Sequence, residues 1–204
     1  MNTEYVSPIR QDYLAQTRER ILDSAMAAIQ KEGLETLTIA QVAKDAGITD
    51  RTVYRHFQTR QDLLKAVWGR MQSRIGLSGF PKTVDALLAA PAALFPRFQA
   101  NEGVVRASMY SQAGREVRAS ANQERQQAIL ACVGDAQPAL SETERRRRAA
   151  VIQMIGSSHG WACLKDYWGL GTEEAARAAE EAIAILLGRP APKDHTQKPE
   201  GENR

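Results

Sequence analysis

Apolar residues in the first third of the chain recur every three or four positions, the period of a helix with one buried face. Leu14, Ile21, Leu22, Ala25, Met26 and Ile29 form such a stripe and predict a helix over 13–32. Residues 1–12 carry Pro8 and predict a flexible arm, because proline lacks the N–H that a helix interior uses. Gly33 stands where a helix C-cap belongs, with Leu34 as its hydrophobic contact. Thr38 then predicts an N-cap, with Gln41 three residues on. A short helix over 39–46 follows, with Ile39, Val42, Ala43 and Ala46 on one face. Gly47 interrupts it, Ile48 covers the small core, and Thr49 caps a third helix from Asp50 to about Phe57. Val53, Tyr54 and Phe57 include its inward anchors. Thr59, with Asp62 three residues on, opens a fourth helix through Leu63, Leu64, Val67, Trp68 and Met71 towards Ile75.

The segment 76–79, followed by Phe80 and Pro81, breaks the pattern and marks a domain junction. Beyond it, helices are predicted over 82–90, 92–100, 103–111, 115–135, 142–168 and 173–188. Pro91, Pro96 and Pro138 predict breaks. No strand alternation persists, so the fold class is all-α. The layout is an arm over 1–12, a helical domain over 13–75, a second helical domain over 76–188 and a tail over 189–204. That tail has prolines at 190, 192 and 199 and no large apolar residue, so it cannot repay the entropy of ordering and is expected to be disordered. His195 within it is expected to be a solvated histidine.

Composition narrows the class. The chain has 204 residues, 43% hydrophobic and 25% charged, as for a soluble globular protein. No run of 18 apolar residues predicts a membrane span, and the first residues lack a secretory pattern, so a cytoplasmic location is expected. The cysteines are Cys132 and Cys163. Their number and spacing suit neither a disulfide scaffold nor a zinc cluster. No metal-ligand cluster or nucleotide-binding glycine loop is visible, so neither a metal nor a cofactor is expected. Net charge is only +3, but from Leu37 to Ile75 seven Lys/Arg face three Asp/Glu. A local positive field of this kind favours a polyanion.

The stretch from Thr38 to Leu64, TIAQVAKDAGITDRTVYRHFQTRQDLL, places two short helices around a glycine turn. Such a pair packs at a large angle with its second helix projecting outward, and a helix fits the DNA major groove. On Gly33, Thr38, the IAQVAKDAG run, the TVYRHF signature, Arg60 and the Asp62–Leu63–Leu64 opening, the segment from Arg18 to Trp68 resembles the TetR family of bacterial repressors. Arg60 stands where that family commonly has lysine, and Gln58–Thr59 where it commonly has proline–serine. The resemblance implies an N-terminal three-helix helix-turn-helix domain and a C-terminal helical ligand-binding and dimerisation domain. It assigns DNA base contacts to Asp50, Arg51, Thr52 and Arg55, and phosphate contacts to Thr38, Lys44, Tyr54, His56 and Arg60. On their own, Arg51 and Arg55 read first as a solvated charged face, and Lys44 reads equally as a solvated lysine.

The C-terminal half offers two further sets. Val151, Ile152, Ile155, Ala162, Ala175, Ala179, Ala182, Ile183 and Leu186 suit either an intramolecular hairpin or two chains joined in a four-helix bundle. The resemblance points to a homodimer interface. Phe95, Phe98, Met109, Tyr110, His159, Trp161, Cys163, Tyr167 and Trp168 either line a cavity or fill a core. The resemblance makes them candidates for a pocket that takes a small apolar or aromatic effector. The run Arg145–Arg148 reads as a solvated helix opening. The functional expectation is a repressor released by that effector from an inverted-repeat operator in double-stranded DNA, not an enzyme. Two other readings stand beside it: a nonspecific DNA binder, and an enzyme using His159 and Cys163 at helical spacing.

Overall fold

A computed structural model describes residues 8–75 and 79–190, with side chains from Gln11 onward. Among the described residues the chain forms twelve helices and no strand. They are α1 (Pro8–Glu32), α2 (Ile39–Asp45), α3 (Asp50–His56), α4 (Arg60–Arg74), α5 (Val84–Leu88) and α6 (Ala90–Ala100). After them come α7 (Glu102–Tyr110), α8 (Gln112–Ser120), α9 (Asn122–Ala136), α10 (Glu142–Ile155), α11 (Ser158–Trp168) and α12 (Thr172–Leu186).

The chain divides into two compact units. The first joins residues 1–78 to 100–122 and so contains α1–α4, α7 and α8. The expected stripe of α1 is buried through Ile21, Leu22, Ala25, Met26 and Ile29. The same unit buries Leu37, Val42, Ala43, Val53, Phe57, Leu63, Leu64, Val67 and Trp68, with α2 and α4 packed against α1. Ion pairs tie α1 to α4: Arg70 reaches Glu19 and Asp23, and Arg74 reaches Asp23. α8 is tied to α4 by Lys65 and Glu116 at 2.7 Å, and α7 to α1 by the Val104 N–H, which donates to Gln30 Oε1. Packing therefore does not follow a single cut at residue 75, because α7 and α8 belong with the first helices.

The second unit holds α5, α6 and α9–α12. Its core joins Leu87, Ile129, Cys132, Val133, Ala149, Ile152, Ile183 and Leu187. Beside it, the Phe98 ring lies 6.0 Å from that of Phe95 and 5.9 Å from that of Trp161. Separations in this range suit tilted aromatic packing. Two arginines of the 145–148 run hold this unit together, where a wholly solvated face was expected. Arg145 donates to the Leu140 and Pro138 carbonyls, and Arg148 to Gln137 Oε1 and the Leu186 carbonyl.

Several expected boundaries are corrected. Pro8 opens α1 where an arm was expected through residue 12. At a helix start its missing N–H is one that has no partner in any case. The expected helix over 115–135 is two, broken at Ala121 without glycine or proline. α8 packs in the first unit and α9 in the second, so tertiary packing overrides local propensity. The expected helix over 142–168 also splits. Gly156 ends α10, and the Ser157 hydroxyl accepts from the N–H groups of His159 and Gly160 to start α11. A Cβ on Gly160 would collide with the Ile155 carbonyl, so only glycine permits so abrupt a restart. Pro96 lies inside α6 instead of ending it. Pro96 and Ala92 are both exposed, so water can serve the carbonyl that loses its partner. The junction residues 76–78, residues 1–7 of the arm and residues 191–204 of the tail, with His195, lie outside the described residues.

Candidate nucleic-acid interface

The helix-turn-helix is set by three threonines and a glycine. Thr38 caps α2, its hydroxyl accepting from the Gln41 N–H at 3.1 Å. The Gln41 side chain turns to Asp45 at 2.7 Å, so only half of the expected capping box forms. Gly47 then takes φ +65°, a left-handed conformation that costs a Cβ-bearing residue energy. Its N–H donates to the Lys44 carbonyl and the Ile48 N–H to the Ala43 carbonyl, which closes α2 and turns the chain. Thr49 caps α3, accepting from the Thr52 N–H. Thr59 and Asp62 form a reciprocal capping box at the start of α4.

α3 is anchored through Val53, which is fully buried, and through Phe57 at its C-cap. Most of its other side chains face away from the core, with His56 partly enclosed. Asp50, Arg51 and Arg55 are exposed and Thr52 is half-buried. Tyr54, expected among the inward anchors, is 51% exposed and available to a ligand. Neither Arg51 nor Arg55 forms an ion pair among the described residues. All four proposed base contacts thus share one short helix with an open outer face.

The phosphate candidates divide. Thr38 and Lys44 are exposed. His56 is half-buried, with Nε2 enclosed and without a partner among the described residues. Burial lowers its pKa from 6.5, helped by the charges of Arg55 and Arg18. The imidazole is therefore neutral near pH 7. Arg60 is turned partly inward: Nε donates to the Leu37 carbonyl at 3.2 Å and Nη2 to the Leu34 carbonyl at 2.7 Å. It braces the loop that leads to the α2 N-cap, a role the sequence pattern did not reveal.

The positive excess between Leu37 and Ile75 is likewise redistributed. Lys65, Arg70 and Arg74 are paired with Glu116, Glu19 and Asp23, all outside that stretch. Among the described residues, the cations left exposed and without a carboxylate are Lys44 on α2, Arg51 and Arg55 on α3 and Arg60 at the start of α4. Charge is thus concentrated on α2, α3 and the first residue of α4.

Of the effector-pocket candidates, Phe95, Phe98 and Trp161 are buried together in the second unit, while Met109 is buried in the first. Tyr110, Tyr167 and Trp168 are 71%, 84% and 75% exposed, and His159 and Cys163 are also exposed. These five side chains stand on the surface of the chain and do not line a cavity within it. Among the dimer candidates, Ile152, Ala162, Ala175, Ala179 and Ile183 are buried by the chain's own packing. Ile155, Ala182 and Leu186 are half-buried and Val151 is exposed. The outward apolar side chains on these helices also include Met154 and Ile185, which spacing alone did not single out.

The family described as bacterial regulatory proteins, tetR family, matches residues 21–67, which run from the second half of α1 through the first half of α4. The HTH-type transcriptional regulator AcrR of Shigella flexneri is 34% identical over 61 residues, 30% of this chain and 28% of AcrR. The matched stretch covers between 26% and 49% of each curated relative's length. Solved structures extend the likeness to the whole fold. A TetR-like transcriptional regulator from Rhodococcus sp. RHA1 superposes with a TM-score of 0.60 at 16% identity, covering 86% of this chain and 98% of that one. The transcriptional regulator FadR from Bacillus subtilis, solved in complex with stearoyl-CoA, gives 0.59 at 14% identity, covering 83% of this chain and 97% of FadR. At these identities the likeness speaks for the fold alone.

Proposed function

We propose that the chain, whose residues 21–67 match the TetR family of bacterial regulatory proteins, is a member of that family and a homodimeric repressor, released from an inverted-repeat operator by a small-molecule effector. The observation that carries the reading is the outer face of α3. Asp50, Arg51, Tyr54 and Arg55 stand exposed over a buried Val53–Phe57 anchor. An arginine there suits guanine O6 and N7, and an aspartate accepts from cytosine N4. Thr38 and Lys44 on α2 serve the backbone, which positions the helix without reading sequence.

One such domain buries little surface on DNA, so affinity calls for two copies. Recognition helices spaced about 34–36 Å apart, or a multiple of it, match successive major grooves on one side of the duplex. The exposed Val151, Met154 and Ile185 on α10 and α12 support a second copy docking on those helices. The buried rings of Phe95, Phe98 and Trp161 supply an aromatic wall that an apolar effector can pack against. The stearoyl-CoA complex of FadR, similar in fold, supports an effector with a large apolar part. Such a molecule weakens operator binding only if it binds the DNA-free state more tightly than the DNA-bound state.

Selection of genomic fragments by the purified protein at fixed salt tests the reading. Enrichment of one inverted repeat, with binding lost on adding an apolar compound that raises Tm, is the expected result. Equal recovery of all fragments would instead mark a nonspecific DNA binder.

A further inference from the structure

We infer that Arg18, on α1, is a DNA-phosphate contact, held at the end of the recognition helix by the face of the Phe57 ring. The inference rests on the DNA-binding reading of α3. Arg18 is exposed, and its guanidinium carbon lies 4.4 Å from the Phe57 ring centroid. Phe57 is the C-cap of α3 and is itself buried. A guanidinium stacked on an aromatic face keeps its N–H donors at its edges, so the ring orients the group without using its hydrogen bonds.

The surrounding charges sharpen the assignment. Glu19 and Asp23, the acids next along α1, are engaged by Arg70 and Arg74. No carboxylate pairs with Arg18 or with Arg55 among the described residues. Both guanidiniums lie close enough to His56 to act on its charge. The fold thus gathers two arginines, without a counter-charge, at the His56 end of α3. Like charges held together cost stability unless an anion sits among them.

The position fits a phosphate. Seven residues of helix span about 10 Å, close to the width of about 12 Å of the major groove. With Asp50 and Arg51 at the base edges, the far end of α3 reaches the strand at the groove wall. Arg18 meets a phosphate there from outside the helix-turn-helix. Sequence spacing gave no sign of this, because Arg18 and Phe57 are far apart along the chain.

The test uses the full chain, the selected operator and a scrambled duplex of equal length, with Kd followed from 50 to 200 mM KCl. Arg18→Gln is expected to make the slope of log affinity against log salt shallower by about 0.9 per DNA-binding domain. The affinity ratio of wild type to variant then shrinks about 3.5-fold per domain across that range, about 12-fold for a dimer with both domains on the duplex, to a similar degree on both duplexes. Arg18→Lys, which keeps the charge, is expected to restore the slope. Should Arg18→Gln fail to fold, Arg18→Met keeps an apolar stem on the ring and is read instead. An unchanged slope, even with a lower Tm, would overturn the assignment and leave Arg18 as packing for Phe57. If the wild type shows no operator preference, the regulator reading fails, while the slope on the scrambled duplex still decides Arg18. If it binds neither duplex, both fail.

Discussion

Replacing Arg60 by alanine removes two bonds to the loop carbonyls of Leu34 and Leu37 as well as a positive charge. Arg60→Ala is therefore expected to lower stability on the order of 1 kcal/mol, a figure kept small because the group is exposed. It should also weaken all DNA sequences about equally, and chemical denaturation beside anisotropy titrations separates the two effects. A purely phosphate-bound Arg60 would leave the denaturation midpoint unchanged. His56 behaves differently. Its folded pKa lies below 6.5 because burial, then Arg55 and Arg18, disfavour the imidazolium. The unfolded chain binds the proton more readily, so stability is complete above about 6.5 and is lost as pH falls through the folded value. His56→Gln should flatten that acid limb in denaturation curves taken between pH 5 and 8. At this scale the sequence disclosed residue types and helix faces. It could not disclose that Arg60 turns back to a loop behind it, or that Arg18 crosses to Phe57, since both contacts join distant parts of the chain.

Short helices depend on their ends. α2 and α3 are each seven residues, too short to persist alone, and α4 begins with a reciprocal capping box at Thr59 and Asp62. Thr59→Ala is expected to cost about 0.5–2 kcal/mol, measured by thermal unfolding, with the salt slope of DNA binding unaltered. These caps were legible because threonine and a polar partner three residues on leave a local signature. The break between α8 and α9 left none: Ala121 is a helix former, and only the packing of the two helices in different units parts them. The break after α10 did carry a signature, in Gly156 and Ser157, which the strong apolar periodicity around it masked. Pro96 shows the converse, a breaker tolerated on an exposed helix face.

For the molecule as a whole, the apolar positions expected to face a second copy are mostly used within the chain, as with Ile152, Ala179 and Ile183. Helical spacing tells which residues share a stripe but not whether that stripe meets the same chain or another. The exposed residues Val151, Met154 and Ile185 are better placed for association. Ile185→Glu combined with Val151→Glu should leave the fold intact, since both side chains are exposed, and convert a dimer to a monomer in analytical ultracentrifugation. An unchanged sedimentation coefficient would move the interface elsewhere. The central claim, that α3 lies in the major groove with Arg51 on a guanine edge, is tested most directly by methylation interference at guanine N7 across the selected operator. Modification of one guanine in each half-site should block the wild type, and Arg51→Ala should become indifferent to it. Binding by the wild type that ignores N7 methylation throughout the operator would contradict the account.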